Sequence, residues 1–553
     1  IMKTNRKILS IFILCSLLFV SCENTLEKYP LNYPSTETFL RTEIEIQMAI
    51  VGIHSPFHLY NDQIPFMIYY DTGSDISSDR DVKPEQIYQN TTAWQLRDIW
   101  VNMYKSISRC NFILENIDRA SGNVSADKID RYKAEAKVLR AYCYLTLTSI
   151  FGDVPLIDRT LSLEEAYVSR DPIEKVVDFI LSQCDEAAQY LQQENQPNTM
   201  AITKGFAWAV KARTALYNER WQDAIDACEK IMQLEGVEYI LEPNYGDITM
   251  LKGKTSKEII WAIQFNQDDK SQGMPSRMKS RLAGGFSNKM PVQALVDSYE
   301  CIDGLSIDKS PLYDPKNPWK NRDPRLDHTV ALPGSRYFGY QFETDKDSIQ
   351  CWDYNQSPAV RIANLDATHA YASFSGYCWR KYCDPLESRT DGASSINAIA
   401  FRYADVLLMY AEAKIEANQL DDSVYESINK VRRRVNMPEI TKGKNQQELR
   451  SVIRKERKYE LAGEGLRLFD IRRWKIADRL MNGMCYGRFP TGYPTAAPYI
   501  DEYGNPDYTN FTEKNKFGTK LGARYFDSNR DYLSPIPASE RQANPNLTQN
   551  QGY

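Results

Sequence analysis

The sequence predicts a mainly α-helical protein in which helix pairs stack into a right-handed superhelical scaffold, interrupted by an inserted, loop-rich variable subdomain. Three observations carry that reading. In Lys133–Leu156, the residues Ala134, Val138, Ala141, Leu145 and Thr148 form one stripe at helical spacing, and Leu139, Cys143, Leu147 and Ile150 form a second about 100° round the cylinder. A helix with two such stripes is packed on both sides, which suits a stacked array better than an isolated bundle. The spans Thr203–Glu219 and Trp221–Gln233 then read as two helices joined by a short turn at Arg220. Finally, from Gly236 to Asn397 the helical period largely disappears among frequent Gly, Pro, Asp and Asn.

Taken in order, the chain of 553 residues opens with a basic start, Met2–Lys7, then the apolar run Ile8–Val20, then Ser21-Cys22. This is the pattern of an export signal. The run of about thirteen residues is shorter than the ~20 needed to span a bilayer. Leu18-Phe19-Val20-Ser21-Cys22 resembles a bacterial lipobox, which predicts cleavage before Cys22 and lipidation of its thiol. Residues 1–21 are thus read as a lipoprotein signal peptide and 22–34, polar with two prolines, as a tether. Removing Lys3, Arg6 and Lys7 moves the formal charge from −5 to −8, and a mildly acidic surface argues against nucleic acid as a partner.

Residues 35–235 form the expected N-terminal helical part. Ser35 is placed to cap a helix from about Thr36 to Leu59; Ile64–Asn90 is irregular; Trp94–Asp118 returns to helical spacing. The two-striped helix ends at Gly152 with Pro155 beyond it. Asp171-Pro172-Ile-Glu174 supplies a cap, a first-turn proline and a first-turn acid for a helix to about Leu191. In the following pair, Phe206, Ala209, Arg213, Leu216 and Tyr217 face Trp221, Ala224, Ala227, Cys228 and Ile231, a spacing that resembles a tetratricopeptide repeat.

The insertion, residues 236–397, is the expected ligand-binding region, with a strand near Glu258–Phe265 and a helix near Pro291–Tyr299. Residues 398–553 resume helices at Arg402–Ala413, Val424–Val435, Asn445–Leu461 and Arg467–Leu480 before an irregular tail. Nine cysteines follow Cys22; Cys110, Cys143, Cys184 and Cys228 read as small apolar packers, while Cys378 and Cys383 could bridge a loop in an oxidising compartment. His54, His58, His328 and His369 lie outside any HExxH or nucleophile-elbow context, and Gly284-Gly285 lacks the surroundings of a phosphate cradle. No metal, cofactor or catalytic group is therefore expected.

Motifs along nearly the whole chain resemble the SusD/RagB family of Bacteroidetes outer-membrane nutrient-binding lipoproteins. They are Glu135-Ala-Lys-Val-Leu-Arg-Ala-Tyr142 with Phe151-Gly-Asp-Val-Pro-Leu156, Pro291-Val-Gln-Ala-Leu-Val-Asp297 with Asp303-Gly304, and Arg322-Asp-Pro-Arg325. Arg402–Ala413, Ile428-Asn-Lys-Val-Arg432, Glu456-Arg-Lys-Tyr-Glu-Leu461 with Asp470-Ile-Arg-Arg-Trp474, and Pro535-Ile-Pro to Asn550 follow. The resemblance implies tetratricopeptide-like helix pairs on one side and variable loops on the other. It also implies a non-enzymatic, surface-exposed role on the outer membrane, capping a TonB-dependent barrel transporter of the SusC type and passing it glycans or, in some branches, peptides. A scaffold adaptor without a small ligand is the third alternative.

The matching motifs are scaffold motifs. Arg402, Asp405, Arg457, Glu460, Asp470 and Arg473 are accordingly expected to form structural ion pairs, and Trp100 and Trp474 to be core. Sugar capture needs exposed flat aromatic faces beside planar polar groups. Two loop regions offer both, and from them Trp94, Tyr88, Tyr340 and Trp352 are expected as stacking platforms, with Asp75, Arg80 and Arg281 as hydrogen-bonding partners.

Overall fold

The computed structural model describes residues 38–553 apart from 59–64, 66 and 388–392. The signal segment, Cys22, the tether and the Ser35 cap lie outside the described residues. The principal helices are α1 (Glu43–His58), α2 (Trp94–Asn116), α3 (Ala126–Phe151), α4 (Ile173–Ala188), α5 (Lys204–Tyr217) and α6 (Trp221–Met232). After the insertion come α7 (Tyr403–Glu416), α8 (Asp422–Arg434), α9 (Gln446–Leu461) and the short α10 (Arg467–Arg473). From α1 to α8 each helix packs against the next, including α6 against α7 across the insertion, and α9 also packs on α7. This is the stacked, tetratricopeptide-like array that the two-striped helix implied.

That helix, α3, shows why both its faces are apolar. Ala136, Val138, Leu139, Ala141, Cys143 and Leu147 are wholly enclosed between α2 and α4. One polar group is buried among them: Arg140 donates from Nη1 to Asn111 Oδ1 on α2 at 2.6 Å and from Nη2 to Gln183 Oε1 on α4. A single guanidinium thereby ties three helices and leaves neither amide oxygen unpaired. The helix starts about two turns earlier than the periodicity suggested, because its first turns are wetted on one side and carry Asp127 and Lys128 there. It stops at Gly152, whose φ of 73° suits glycine, and the tail closes over that end with Ser534 N–H donating to Ile150 C=O at 2.9 Å. In the α5–α6 pair the alanines 209, 212 and 215 meet Ala224 and Ala227, all fully buried, so the backbones approach closely.

The insertion is anchored where it leaves and re-enters the scaffold. Strand Ile259–Ile263 pairs antiparallel with Ala398–Arg402, joining its two ends. Inside it, the expected helix runs Gln293–Ser298, preceded by strand Lys289–Pro291, which pairs with Ser77–Asp79. The region also contains a four-stranded antiparallel sheet, Arg336–Tyr337, Tyr340–Gln341, Gln350–Asp353 and Val360–Ala363. These strands of two to four residues are too short to display alternation in the sequence.

The bridge left open between Cys378 and Cys383 is not formed: both are buried free thiols. Two expectations are corrected. The helix expected over Arg467–Leu480 is broken into Arg467–Arg473 and Ala477–Leu480, since Lys475 takes a left-handed φ of 55°. Trp474 is half-buried instead of core, its indole Nε1 donating to Glu412 Oε1 at 2.6 Å; Trp100, by contrast, is core.

The charged motifs meet in a buried lattice around α9. Arg325, Lys381, Arg402, Arg432, Arg434 and Lys455 face Asp323, Glu258, Glu300, Glu456, Glu460 and Glu464, six cations against six carboxylates. Glu460 alone takes Arg402 at 2.6 Å, Arg434 and, at 3.2 Å, Arg325. On the other side of α9, Arg457 binds Asp405 at 2.9 Å and Asp470 at 3.0 Å, while Arg213 reaches Asp405 at 2.6 Å and Arg473 reaches Asp470 at 2.8 Å. Burial alone would raise the Glu460 pKa, but Arg434, Arg402 and Arg325 outweigh it and hold the carboxyl well below its usual range.

A depressed carboxylate pKa contributes stability that is present above the unfolded value and lost as pH falls toward the folded one. Glu460→Gln is therefore expected to cost about 3–5 kcal/mol in urea unfolding at neutral pH, because three cations lose a buried counter-charge. Below the ordinary carboxyl pKa of 4.5 the difference from wild type should shrink as pH falls.

Candidate functional site

The insertion displays an exposed aromatic residue on a tight turn between residues 276 and 288. Phe286 N–H donates to Ser276 C=O and Gly285 N–H to Ser280 C=O, both at 2.7 Å, folding the chain back on itself. Gly285 admits no side chain, since a Cβ there would lie 2.2 Å from the Lys279 carbonyl oxygen. The residue that follows is pushed outward, leaving Phe286 47 % exposed. The turn runs straight into strand Lys289–Pro291, and Arg80, just beyond the partner strand, extends the ladder by donating its N–H to Asn288 C=O at 2.8 Å. A buried ion pair between Lys289 and Asp79 fixes the register.

Arg80 is the centre of the surface. Its Nη1 donates to Phe286 C=O at 2.9 Å and to Tyr371 C=O at 3.2 Å, and its Nε to Asp81 Oδ1 at 3.1 Å. The guanidinium carbon lies 5.1 Å from the Tyr371 ring centre and 5.9 Å from that of Phe374. Tyr371 is 59 % exposed, and its N–H donates to His369 Nδ1 at 3.0 Å. Arg281 braces the same turn from the other side, donating from Nη1 to Gly285 C=O at 2.8 Å. The turn is tied to the helix ahead of Tyr371 by Asp366, whose Oδ1 accepts from Leu282 N–H at 3.1 Å. Burial pushes the Asp366 carboxyl up to about 6. One cation thus holds the backbone carbonyls of two residues with exposed rings, Phe286 and Tyr371, with Arg277 beside the Phe286 ring and Lys520 beside Phe374. Asp81, half exposed and bonded to Asn288 Nδ2 at 2.8 Å, offers an acceptor at the rim.

This geometry suits a ligand with flat C–H faces and many hydroxyl groups. Aromatic faces take up the apolar side of such a ring, and fixed charged donors and acceptors bind its edge. Among the described residues no cluster of His, Cys, Asp and Glu is arranged to hold a metal ion.

The seven sequence-predicted residues divide unevenly. Arg80 and Arg281 come together on adjacent carbonyls of one turn. Trp352 is 39 % exposed on the four-stranded sheet, with its cross-strand neighbour Arg361 stacked 5.2 Å from the ring; Tyr340 is half-buried on the next strand, opposite Asp353. Tyr88 is turned inward, 3 % exposed, its hydroxyl donating to Tyr69 C=O at 2.8 Å and its ring filling the space that Gly73 leaves. Trp94 opens α2 half-buried against the core, edge-on to Tyr69. Asp75 spends both oxygens on Arg467, at 2.7 and 2.8 Å. Phe286, Tyr371 and Phe374 were not anticipated; the signal for the first was Gly284-Gly285, which forces a tight turn and projects what comes next.

Stacked helix pairs that carry a rigid aromatic surface define a scaffolded binding protein. Residues 257–553 match the family model described as the SusD family, and residues 31–216 match one described as starch-binding, associating with the outer membrane. SusD-like protein P25 of Formosa agariphila is 28 % identical over 90 % of this chain and 95 % of its own length. A SusD-like carbohydrate-binding protein from Bacteroides fragilis superposes with a TM-score of 0.78 at 29 % identity, over 93 % of this chain and all of the other. A second SusD-like protein from the same organism gives 0.75 at 26 %, over 95 % of this chain and all of the other. The chain belongs to the SusD family, whose members are non-catalytic.

The corrected position of Tyr88 is open to test. Tyr88→Ala should lower unfolding free energy by about 3–5 kcal/mol in chemical denaturation, as expected for emptying a buried aromatic site, and leave ligand affinity of the folded protein unchanged.

Proposed function

We propose that this protein captures oligosaccharides or polysaccharides at the cell surface through the Arg80-centred surface and delivers them to a SusC-like, TonB-dependent outer-membrane transporter. The observation that carries the reading is the pair of exposed aromatic residues, Phe286 and Tyr371, whose backbone carbonyls are held by one guanidinium. A backbone already held in place loses little freedom when a sugar stacks on its rings, so less of the contact energy is spent on ordering. Trp352 with Arg361 supplies a further face on the neighbouring sheet. The carbohydrate-binding description of the Bacteroides fragilis relative and the starch-binding description of the N-terminal match support the ligand class. Attachment through lipidated Cys22 rests on the Leu18–Cys22 motif and on the description of that match as associating with the outer membrane.

Calorimetric titration of the soluble chain with defined plant, host and microbial oligosaccharides should find a sugar that is bound and recovered unchanged. Phe286→Ala and Tyr371→Ala should each weaken that binding by about 1–3 kcal/mol, on the scale of base–aromatic stacking, without altering the circular dichroism spectrum. Equal affinity in both variants would refute the assignment of this surface. In cells, Cys22→Ala should abolish incorporation of labelled fatty acid and release the protein from the membrane fraction.

A further inference from the structure

The tail of the chain encloses a separate cleft of about 500 Å³ that the Arg80 surface does not use. Its volume falls within the ~300–1,000 Å³ of small-ligand pockets. One wall is the hairpin Tyr499–Ile500/Pro506–Asp507, rooted by Ile500, which is 1 % exposed in a cluster with Cys301 and Ile307. The hairpin holds Tyr499 60 % exposed at the mouth. Tyr486 also lines the cleft, set edge-on to Tyr508 at 5.2 Å and tilted against Phe517 at 5.2 Å, so its orientation is fixed by three-ring packing.

The floor is polar and ordered. Asn505 Oδ1 accepts from Lys458 Nζ at 2.8 Å and from Arg467 Nη2 at 3.3 Å, and Arg467 in turn holds Asp75. Arg524, only 8 % exposed, lines the cleft with its Nε lacking a hydrogen-bond partner among the described residues. The charges nearly cancel. Asp75 is neutralised by Arg467 and Asp501 by Arg479 at 2.9 Å, and the remaining charged lining residues are Asp507, Lys514 and Arg524. Neither an anionic nor a cationic ligand gains from such a lining, whereas a neutral ligand with hydroxyl groups and a flat apolar face matches both the tyrosines and the paired polar groups.

We propose that this cleft is a second saccharide-binding site, taking a short uncharged stretch of sugar chain between Tyr499 and Tyr486. The ligand class rests on the reading of the protein as a saccharide binder; the site rests on the cleft's own geometry. The test is saturation-transfer NMR with maltose, cellobiose, laminaribiose, mannobiose and xylobiose, and with triglycine as a peptide probe. The backgrounds are wild type, Phe286→Ala, and Phe286→Ala combined with Tyr499→Ala or with Tyr486→Ala. Tyr499 lies largely in solvent, so its removal leaves the fold intact.

The expected result is transfer to at least one disaccharide in Phe286→Ala, weakened about tenfold or more when Tyr499 is also removed. Loss of all transfer in Phe286→Ala, where wild type binds, would overturn the second site and leave the first standing. Transfer that survives both Tyr499→Ala and Tyr486→Ala, or equal transfer to triglycine, would also overturn it. A wild-type protein that binds none of the sugars would overturn both.

Discussion

The structure depends on the completeness of one buried set of charges. Taking an ion out of water costs several kcal/mol, and attraction to a single partner barely offsets that cost. Around α9 the cost is met collectively: every glutamate of the set serves two or three cations, Asp323 pairs with Arg325 alone, and cations such as Arg402 and Arg325 use several of their donors at once. Hydrophobic packing alone would let these helices slide. A lattice of directional, fully paired charges tolerates one arrangement, because any shift strands an ion in a dry environment.

The lattice also joins the two unlike parts of the chain. Glu456, Arg457 and Glu460 stand on a scaffold helix, while Glu258, Glu300, Asp323, Arg325 and Lys381 come from the insertion. Arg402 sits at the seam, ending the strand that closes the insertion and preceding α7, and it binds Glu258 on one side and Glu460 and Glu464 on the other. The loop-rich half is therefore bolted to the helical array by the interactions that order the array itself. Short loops with little regular structure can then present rings in fixed orientations, a condition for binding without a large ordering cost.

What the sequence disclosed follows the range of the interactions involved. Helices announced themselves because their burial repeats every three or four residues, and the charged motifs read as structural because they recur at helical spacing on elements already known to pack. The candidate site was legible only at Arg80, Arg281 and Trp352. Whether a loop aromatic faces in or out is decided by strand pairings such as Ser77 with Pro291, 214 residues away by register, and by local vacancies such as the one beside Gly73 that draws Tyr88 inward. Neither leaves a periodic trace. Tyr88 and Phe286 are both aromatic residues in stretches that read from the sequence as polar loops; a glycine admitted one to the interior, and another glycine expelled the second.

The same long-range pairing places both proposed binding surfaces on one short stretch of chain. Strand Ser77–Asp79 is bounded on one side by Asp75, which lines the tail cleft, and on the other by Arg80, which organises the exposed rings. Asp75 is held by Arg467 at the start of α10, Arg80 by the turn that displays Phe286, and Asp79 by the buried Lys289. Six residues are thus clamped at three points by partners from the scaffold and the insertion. Neither surface can yield independently of the other, so both proposed sites would share the rigidity that the charge lattice confers on the scaffold beneath them.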